Sequence, residues 1–77
     1  MGAATIIIQK SGWVLMCADW DIEEIKDMGG GVKVICDDRG NEITIPPYAT
    51  EDIEPGDEHD ECTCYRFGDM EIFVEFF

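Results

Sequence analysis

Short runs of apolar and β-branched residues, joined by turn-forming residues, restrict the fold of this chain more than any other feature. Residues 5–10 form one such run, and Ser11-Gly12 separates it from a second run at residues 13–17. β-branched and aromatic residues favour strands, and a two-residue link containing glycine favours a tight antiparallel turn. The pattern predicts a β-hairpin over residues 5–17.

Two further hairpins are predicted in the same way. The second joins residues 32–37 to 42–45, and the third joins residues 62–67 to 70–76 through Gly68-Asp69. The last segment alternates between two faces, so one face should be core and the other partly wet. Met70, Ile72, Val74 and Phe76 form the first face, and Glu71, Phe73, Glu75 and Phe77 form the second.

Residues 19–28 have the pattern of a short amphipathic helix. Asp19 and Asp21 are candidate N-cap residues, and Glu24 completes a capping box with Asp21. Apolar residues recur at helical spacing, and three glycines at positions 29–31 end the run. These apolar residues are Ile22, Ile25 and Met28. The expected fold class is therefore α+β, a small and mostly antiparallel sheet of hairpins with one short α-helix, in the order β-β-α-β-β-β-β.

Length and composition predict one folded domain, residues 1–77. Hydrophobic residues make up 45% of the chain, which is too apolar for a disordered acidic tail. No run approaches the roughly 20 apolar residues of a membrane span, and no secretory signal is recognisable. We therefore expect a cytoplasmic protein whose four cysteines are reduced thiols.

Negative charge is concentrated in two segments. The chain has 18 acidic and five basic side chains, so its formal charge is −13. Residues 51–61 contain seven carboxylates and no lysine or arginine, and residues 19–28 contain five carboxylates and Lys26. Pro55-Gly56 predicts a loop over most of the first segment. This charge argues against binding to nucleic-acid phosphates or to anionic membranes, and it favours basic protein partners.

Carboxylates in these two segments and on the wet face of the last strand are the candidate partner-binding groups. Held at fixed spacing, they can copy the negative charges of a nucleic-acid backbone and occupy a basic groove. Phe73, Tyr48 and Phe77 are candidate aromatic anchors, although Phe73 and Phe77 also suit a second small core or a dimer contact. The candidate carboxylates are Glu51, Asp52, Glu54, Asp57, Glu58, Asp60, Glu61, Glu23, Glu24, Asp27, Glu71 and Glu75.

His59, Cys62 and Cys64 are the candidate metal ligands, with Cys17 or Cys36 as a fourth. Their spacing departs from the paired knuckles of structural zinc sites, and free cysteines commonly serve as small buried hydrophobes. Neither acidic segment has the glycine and glutamate positions of a calcium-binding EF-hand loop. We expect no cofactor, with a zinc-stabilised domain as an alternative.

No catalytic site is predicted, so we expect a protein that is not an enzyme. The single histidine lies in an acidic segment, where nearby carboxylates would raise the pKa of a cysteine thiol and disfavour a reactive Cys–His pair. The three glycines at positions 29–31 follow the predicted helix and lack the lysine of a phosphate-binding loop.

In size, charge, its two acidic segments and its lack of a catalytic motif, the chain resembles the small acidic inhibitors that phages direct against host defence nucleases. These include anti-CRISPR proteins and other DNA mimics. The resemblance implies a viral protein of the host-cell cytoplasm that blocks a basic nucleic-acid-binding protein or CRISPR–Cas complex, without binding nucleic acid itself. Two alternatives stay open: a structural or regulatory interaction module, homodimeric or not, with a solvated acidic loop, and the zinc-stabilised domain.

Overall fold

The computed structural model describes residues 2–55 and 61–77, with the backbone alone for residues 54, 55 and 61. These residues form seven strands: β1 (Gly2–Lys10), β2 (Trp13–Asp27), β3 (Lys33–Asp37), β4 (Glu42–Ile45), β5 (Thr50–Pro55), β6 (Glu61–Phe67) and β7 (Met70–Phe76). They make one sheet in the order β4-β3-β2-β1-β7-β6-β5, and every neighbouring pair is antiparallel. The turns at Ser11-Gly12 and Gly68-Asp69 lie where the sequence predicts them.

The predicted α+β class and its helix at residues 19–28 are wrong. Within the described ranges the fold is all-β, and residues 19–27 continue β2 without interruption. The first part of β2 pairs with β1, and its last part pairs with β3. Met28 and the three glycines that follow form the turn between β2 and β3, with the Met28 amide donating to the Val32 carbonyl at 2.8 Å.

A β-bulge explains why this strand has helical apolar spacing. Ile22 pairs with Asp37 and Glu24 pairs with Cys36, so Glu23 is an extra residue on β2. An extra residue reverses the alternation of side chains between the two faces of a strand. Ile22 and Ile25, three residues apart, therefore both pack on the core, while Met28 is 61% exposed. The spacing of three arises from a bulge and not from a helical turn.

The predicted loop over residues 51–61 is also corrected. Residues 50–55 form β5 and pair with β6 in an unbroken register from Thr50↔Arg66 to Pro55↔Glu61. Residues 56–60 lie outside the described part of the chain. The loop was predicted from Pro55-Gly56, but Pro55 is the last residue of β5. β5 is an edge strand, where proline and charged residues are well tolerated.

An ion pair between strands at opposite sides of the sheet demonstrates that the sheet curls. The Nζ atom of Lys33 on β3 lies 2.7 Å from an Oε atom of Glu51 on β5. In the strand order these two strands are five places apart, which would separate them by roughly 24 Å in a flat sheet. The two halves of the sheet therefore fold toward each other and enclose a shared core.

The core contains buried side chains from six of the seven strands. Its members are Ala4, Ile6, Ile22, Ile35, Ile45, Tyr65, Ile72 and Val74. The alternation predicted for the last strand is confirmed, because Ile72 and Val74 are buried here and Phe76 packs against them. Burial of such β-branched side chains is the main favourable contribution to folding.

Gly31 is needed in the β2–β3 turn because its backbone has positive φ and approaches Pro47. Its φ is 85°, and a Cβ atom built there would lie 3.1 Å from the Pro47 Cβ. We expect Gly31→Ala to destabilise the protein by about 2 to 3 kcal/mol through backbone strain and this close contact. Gly30→Ala, with φ of 63° and open space around it, should cost only about 1 kcal/mol. Urea unfolding of both variants tests this, and equal losses would contradict a role for the contact with Pro47.

Candidate functional site

Five neighbouring strands turn one face away from the core. In the order of the sheet they are β2, β1, β7, β6 and β5. We call this face the outer face. On β1 the buried Ala4 and Ile6 point into the core, so Thr5 and Ile7 project from the outer face. The same alternation places Glu71, Phe73 and Glu75 of β7 beside them, as the sequence predicts.

A row of apolar side chains crosses the middle of the outer face. Ile7 pairs with Cys17 on β2 and with Phe73 on β7, and Phe73 pairs with Cys64 on β6. Ile7 and Phe73 are half-buried and Cys64 is buried, so these side chains shield one another. Burial raises the pKa of the Cys64 thiol above its ordinary value. Phe73 thus contributes to a small second apolar cluster, while Tyr48 and Phe77 are well exposed.

Carboxylates surround this apolar row. In the next cross-strand row, Asp19 and Glu75 lie on either side of Thr5. Asp52 stands opposite Cys64 at the β5 edge. Two more carboxylates complete the set: Asp21, two residues after Asp19 on β2, and Glu71, four residues before Glu75 on β7. We call the set the acidic outer face; it consists of Asp19, Asp21, Asp52, Glu71 and Glu75.

Hydrogen bonds orient several of these carboxylates. Thr5 Oγ1 donates to Asp19 Oδ1 at 2.9 Å. Arg66 donates through Nε to Glu71 Oε2 at 3.0 Å and through Nη1 to Asp52 Oδ2. The hydrogen bond to Glu71 raises the pKa of Arg66 above its ordinary value. Five carboxylates and this one guanidinium leave the group with a formal charge of −4.

Three of the twelve predicted partner-binding carboxylates belong to the acidic outer face: Asp52, Glu71 and Glu75. Two others form local contacts at the far end of β2, where Glu24 pairs with Lys26 at 3.7 Å and Asp27 accepts the Gly29 amide at 3.0 Å. Glu23 is the bulge residue beside them.

Glu51 lies on the opposite side of β5 from Asp52 and points toward the interior of the curled sheet. It pairs in register with the buried Tyr65 and accepts the hydrogen bond from Lys33, which raises the pKa of that lysine. Glu51 therefore links β5 to β3. Glu54 and Glu61 are described by backbone alone, while Asp57, Glu58, His59 and Asp60 lie outside the described residues.

Asp19 and Asp21 were missed as site residues because the sequence assigned them to a helix N-terminus. On β2 they alternate with the half-buried Trp20 and the buried Ile22. That alternation of acidic and apolar residues was the available signal, since it is typical of a half-buried strand. The bulge after Ile22 hid it by shifting the apolar positions that follow.

A cleft of about 240 Å³ opens where β3 leaves β2, between residues 18–21 and the turn after β3. Asp37 holds this turn in shape although only 5% of it is exposed. Its Oδ1 accepts the amides of Arg39 at 2.9 Å and Asn41 at 2.7 Å, and its Oδ2 accepts Asn41 Nδ2 at 2.7 Å. The cleft is also lined by Asp38, which is exposed.

No disulfide joins any of the four cysteines, and within the described part of the chain they do not gather into a metal site. Cys17 and Cys64 share the apolar row but lie three strands apart, or roughly 14 Å at the usual strand spacing. Zinc–sulfur bonds of about 2.3 Å cannot bridge that distance. Among the described side chains, no three His, Cys, Asp or Glu residues are placed to hold a metal ion.

Comparison with protein-family models, with curated proteins and with solved structures finds no match to this chain. The described part of the chain also contains no helix of the length and apolar character that crossing a membrane requires.

Proposed function

We propose that the protein is an acidic inhibitor that docks its outer face on the basic nucleic-acid-binding surface of a partner protein and blocks that surface. The observation that carries the proposal is the acidic outer face, where five carboxylates from three strands surround a half-buried apolar row. The partner would be a defence complex of the CRISPR–Cas kind, met in the cytoplasm of a host cell. The protein itself would not bind nucleic acid and would have no catalytic role.

The geometry of a sheet supports this function because it holds charges at regular spacing. Asp19 and Asp21 are two residues apart on one strand, which separates them by about 6 to 7 Å. Asp19 and Glu75 are separated by one intervening strand, or about 10 Å. Lysines and arginines that normally neutralise phosphates could pair with such a grid. Because strands fix the carboxylates before binding, little entropy is lost in ordering them.

Charge reversal at Asp19 and Glu75 tests this proposal. Both side chains are exposed and neither has an ion-pair partner among the described residues. Asp19→Lys with Glu75→Lys removes only the exposed hydrogen bond from Thr5 to Asp19 and should leave the fold intact. Immobilised wild-type protein should retain a basic nucleic-acid-binding protein from a bacterial lysate. High salt should release the bound protein, and added double-stranded DNA should compete for it. The double variant should bind that protein at least about tenfold more weakly.

A second double variant, Glu24→Lys with Glu42→Lys, changes the net charge equally on the β3 side of the sheet. It should keep affinity within about threefold of wild type, since net charge alone acts mainly on long-range steering. Equal losses in both variants would mean that only the net charge matters. No loss in either would exclude the acidic outer face as the binding surface.

A further inference from the structure

Along residues 13–20, one edge of β2 has no described strand beside it. β2 pairs with β1 from Trp13 to Ile22, but its register with β3 begins only at Ile22. Along residues 13–20, the side of β2 that faces away from β1 therefore has no paired strand within the described residues. In an antiparallel ladder alternate residues point their amide and carbonyl groups away from the partner. This free edge can accept a further strand.

The free edge lacks the features that protect the two outermost strands from pairing. β4 has four residues and is followed by Pro46-Pro47, while β5 is acidic and ends at Pro55. Short length, charge, proline and β-bulges are the usual means of blocking an edge. Residues 13–20 include one carboxylate, Asp19, and no proline. A bulge at Leu15 interrupts the pairing with β1, but residues 16–20 keep a regular register.

The beginning of the free edge carries exposed apolar side chains. Trp13, Val14 and Leu15 are 78%, 58% and 60% exposed. Consecutive residues of a strand point to opposite faces, so Trp13 and Val14 leave apolar surface exposed on both faces of β2. The apolar side chains of an added strand, which also alternate between the faces, would cover this surface.

The other end of the free edge is acidic and opens into the cleft at the β3–β4 turn. Asp19, Asp21 and Asp38 line this cleft as exposed carboxylates, with Arg39 as the cation of the lining. Trp20 contributes a half-buried indole. The indole packs against the core on the other face of β2, so the exposed carboxylates are the groups that suit the charged end of a lysine or arginine.

We propose that β2 binds an extended segment of a partner protein by strand addition, and that this segment carries basic residues followed by apolar residues. The added strand runs antiparallel to β2, as every strand pair in this sheet does. Its basic residues then lie at Asp19 and the cleft, and its apolar residues lie against Trp13, Val14 and Leu15. This peptide-binding edge shares Asp19 and Asp21 with the acidic outer face, but its hydrogen-bonding edge and its apolar end at residues 13–15 are separate from that face. The proposal does not depend on the proposed inhibitor function.

Charge decides against a second copy of this chain as the occupant. Two copies would bring together two chains of formal charge −13, and the five basic residues are spread singly along the sequence at positions 10, 26, 33, 39 and 66. Among the described residues, no segment places clustered basic residues before an exposed apolar run. A basic and apolar segment of another protein complements both ends of the edge.

Two synthetic peptides of identical composition test the proposal. In the first peptide, every second residue is lysine in the N-terminal half and valine in the C-terminal half, and threonine fills the positions between them. The second peptide has the same sequence in reverse order. The first peptide should bind the full chain at least about tenfold more tightly, and its binding should weaken with salt. Binding should also slow hydrogen exchange of the amides in residues 16–20. Equal affinity of the two peptides, or no protection of these amides, would overturn the proposal.

Exposed-residue variants locate the site without threatening the fold. Trp13→Ser with Leu15→Ser should weaken binding of the first peptide at least about tenfold, and Asp38→Asn should weaken it about threefold. Ile53→Ser is the matched control, because Ile53 is 63% exposed on the β5 edge. Loss of binding in this control instead would move the site to β5 and refute the assignment to β2. Analytical sedimentation of the chain alone tests whether a second copy occupies the edge. A dimer that Trp13→Ser with Leu15→Ser abolishes would make a second copy the occupant and overturn the proposal.

Discussion

Replacing Ile35 by alanine is expected to lower the free energy of unfolding by about 2 to 5 kcal/mol. Ile35 is fully buried on β3 and packs in the core that both halves of the curled sheet share. Alanine would leave a cavity that the surrounding strands can only partly fill. Since small domains are stabilised by only about 5 to 15 kcal/mol, the variant should lose a large part of its stability.

Ile53→Ala is the matched control for this prediction. Ile53 also lies on a strand, β5, but its side chain is 63% exposed. Its truncation should change the free energy of unfolding by no more than about 0.5 kcal/mol. Urea denaturation followed by circular dichroism measures both variants. Similar losses at the two positions would contradict the position of the core.

Asp37→Ala is expected to destabilise the protein through the β3–β4 turn. The carboxylate accepts three hydrogen bonds, two from backbone amides of the turn and one from the Asn41 side chain. Alanine would remove the acceptor of all three donors. Because Asp37 is only 5% exposed, water would replace this acceptor poorly. We expect the midpoint of thermal unfolding to fall by more than about 4 °C. Asp38→Ala, at an exposed neighbouring carboxylate, should change it much less.

The same carboxylate should make stability depend on acidic pH. Desolvation by itself would raise the pKa of Asp37, but hydrogen bonds from Asn41 and Arg39 outweigh it and hold the pKa below the ordinary value of 3.8. A folded-state pKa below the unfolded value contributes stability that is present above the unfolded pKa. That contribution is lost as the pH falls through the lower, folded pKa.

A pH series of unfolding midpoints tests this expectation. Wild type and Asp38→Ala should lose stability steeply as the pH falls below about 4, and Asp37→Ala should show a shallower decline because its contribution is already absent. Parallel curves for Asp37→Ala and wild type would show that the hydrogen bonds to Asp37 do not stabilise the charged form.

The hairpins could be predicted because their signals are local. Ser11-Gly12 and Gly68-Asp69 are turn residues between β-branched runs, and neighbouring residues suffice to favour such turns. The helix prediction failed because it depended on the period of apolar residues around Ile22 and Ile25. A bulge at Glu23, which depends on pairing with β3, produced the same spacing as a helical turn.

The candidate site was predictable only in part for a similar reason. Alternation along the last strand placed Glu71 and Glu75 together on one face, and the structure agrees. Glu51 and Asp52 are adjacent in sequence, yet one is bonded to Lys33 on the inner side and the other lies on the outer face. Alternation along a strand separates the two, but a loop was predicted here instead of β5. Which of the two meets Lys33 depends on the curl of the sheet.

The sequence by itself determined the hairpin turns, the alternation of the last strand and the excess of negative charge, since each depends on composition or on residues close along the chain. Only the tertiary structure decided that β2 runs through to Asp27, that the sheet curls until Lys33 meets Glu51, and that no described strand pairs with one edge of β2 along residues 13–20. These features follow from pairing between residues far apart in the chain. A shift of one residue in such pairing moves every side chain of a strand to the other face.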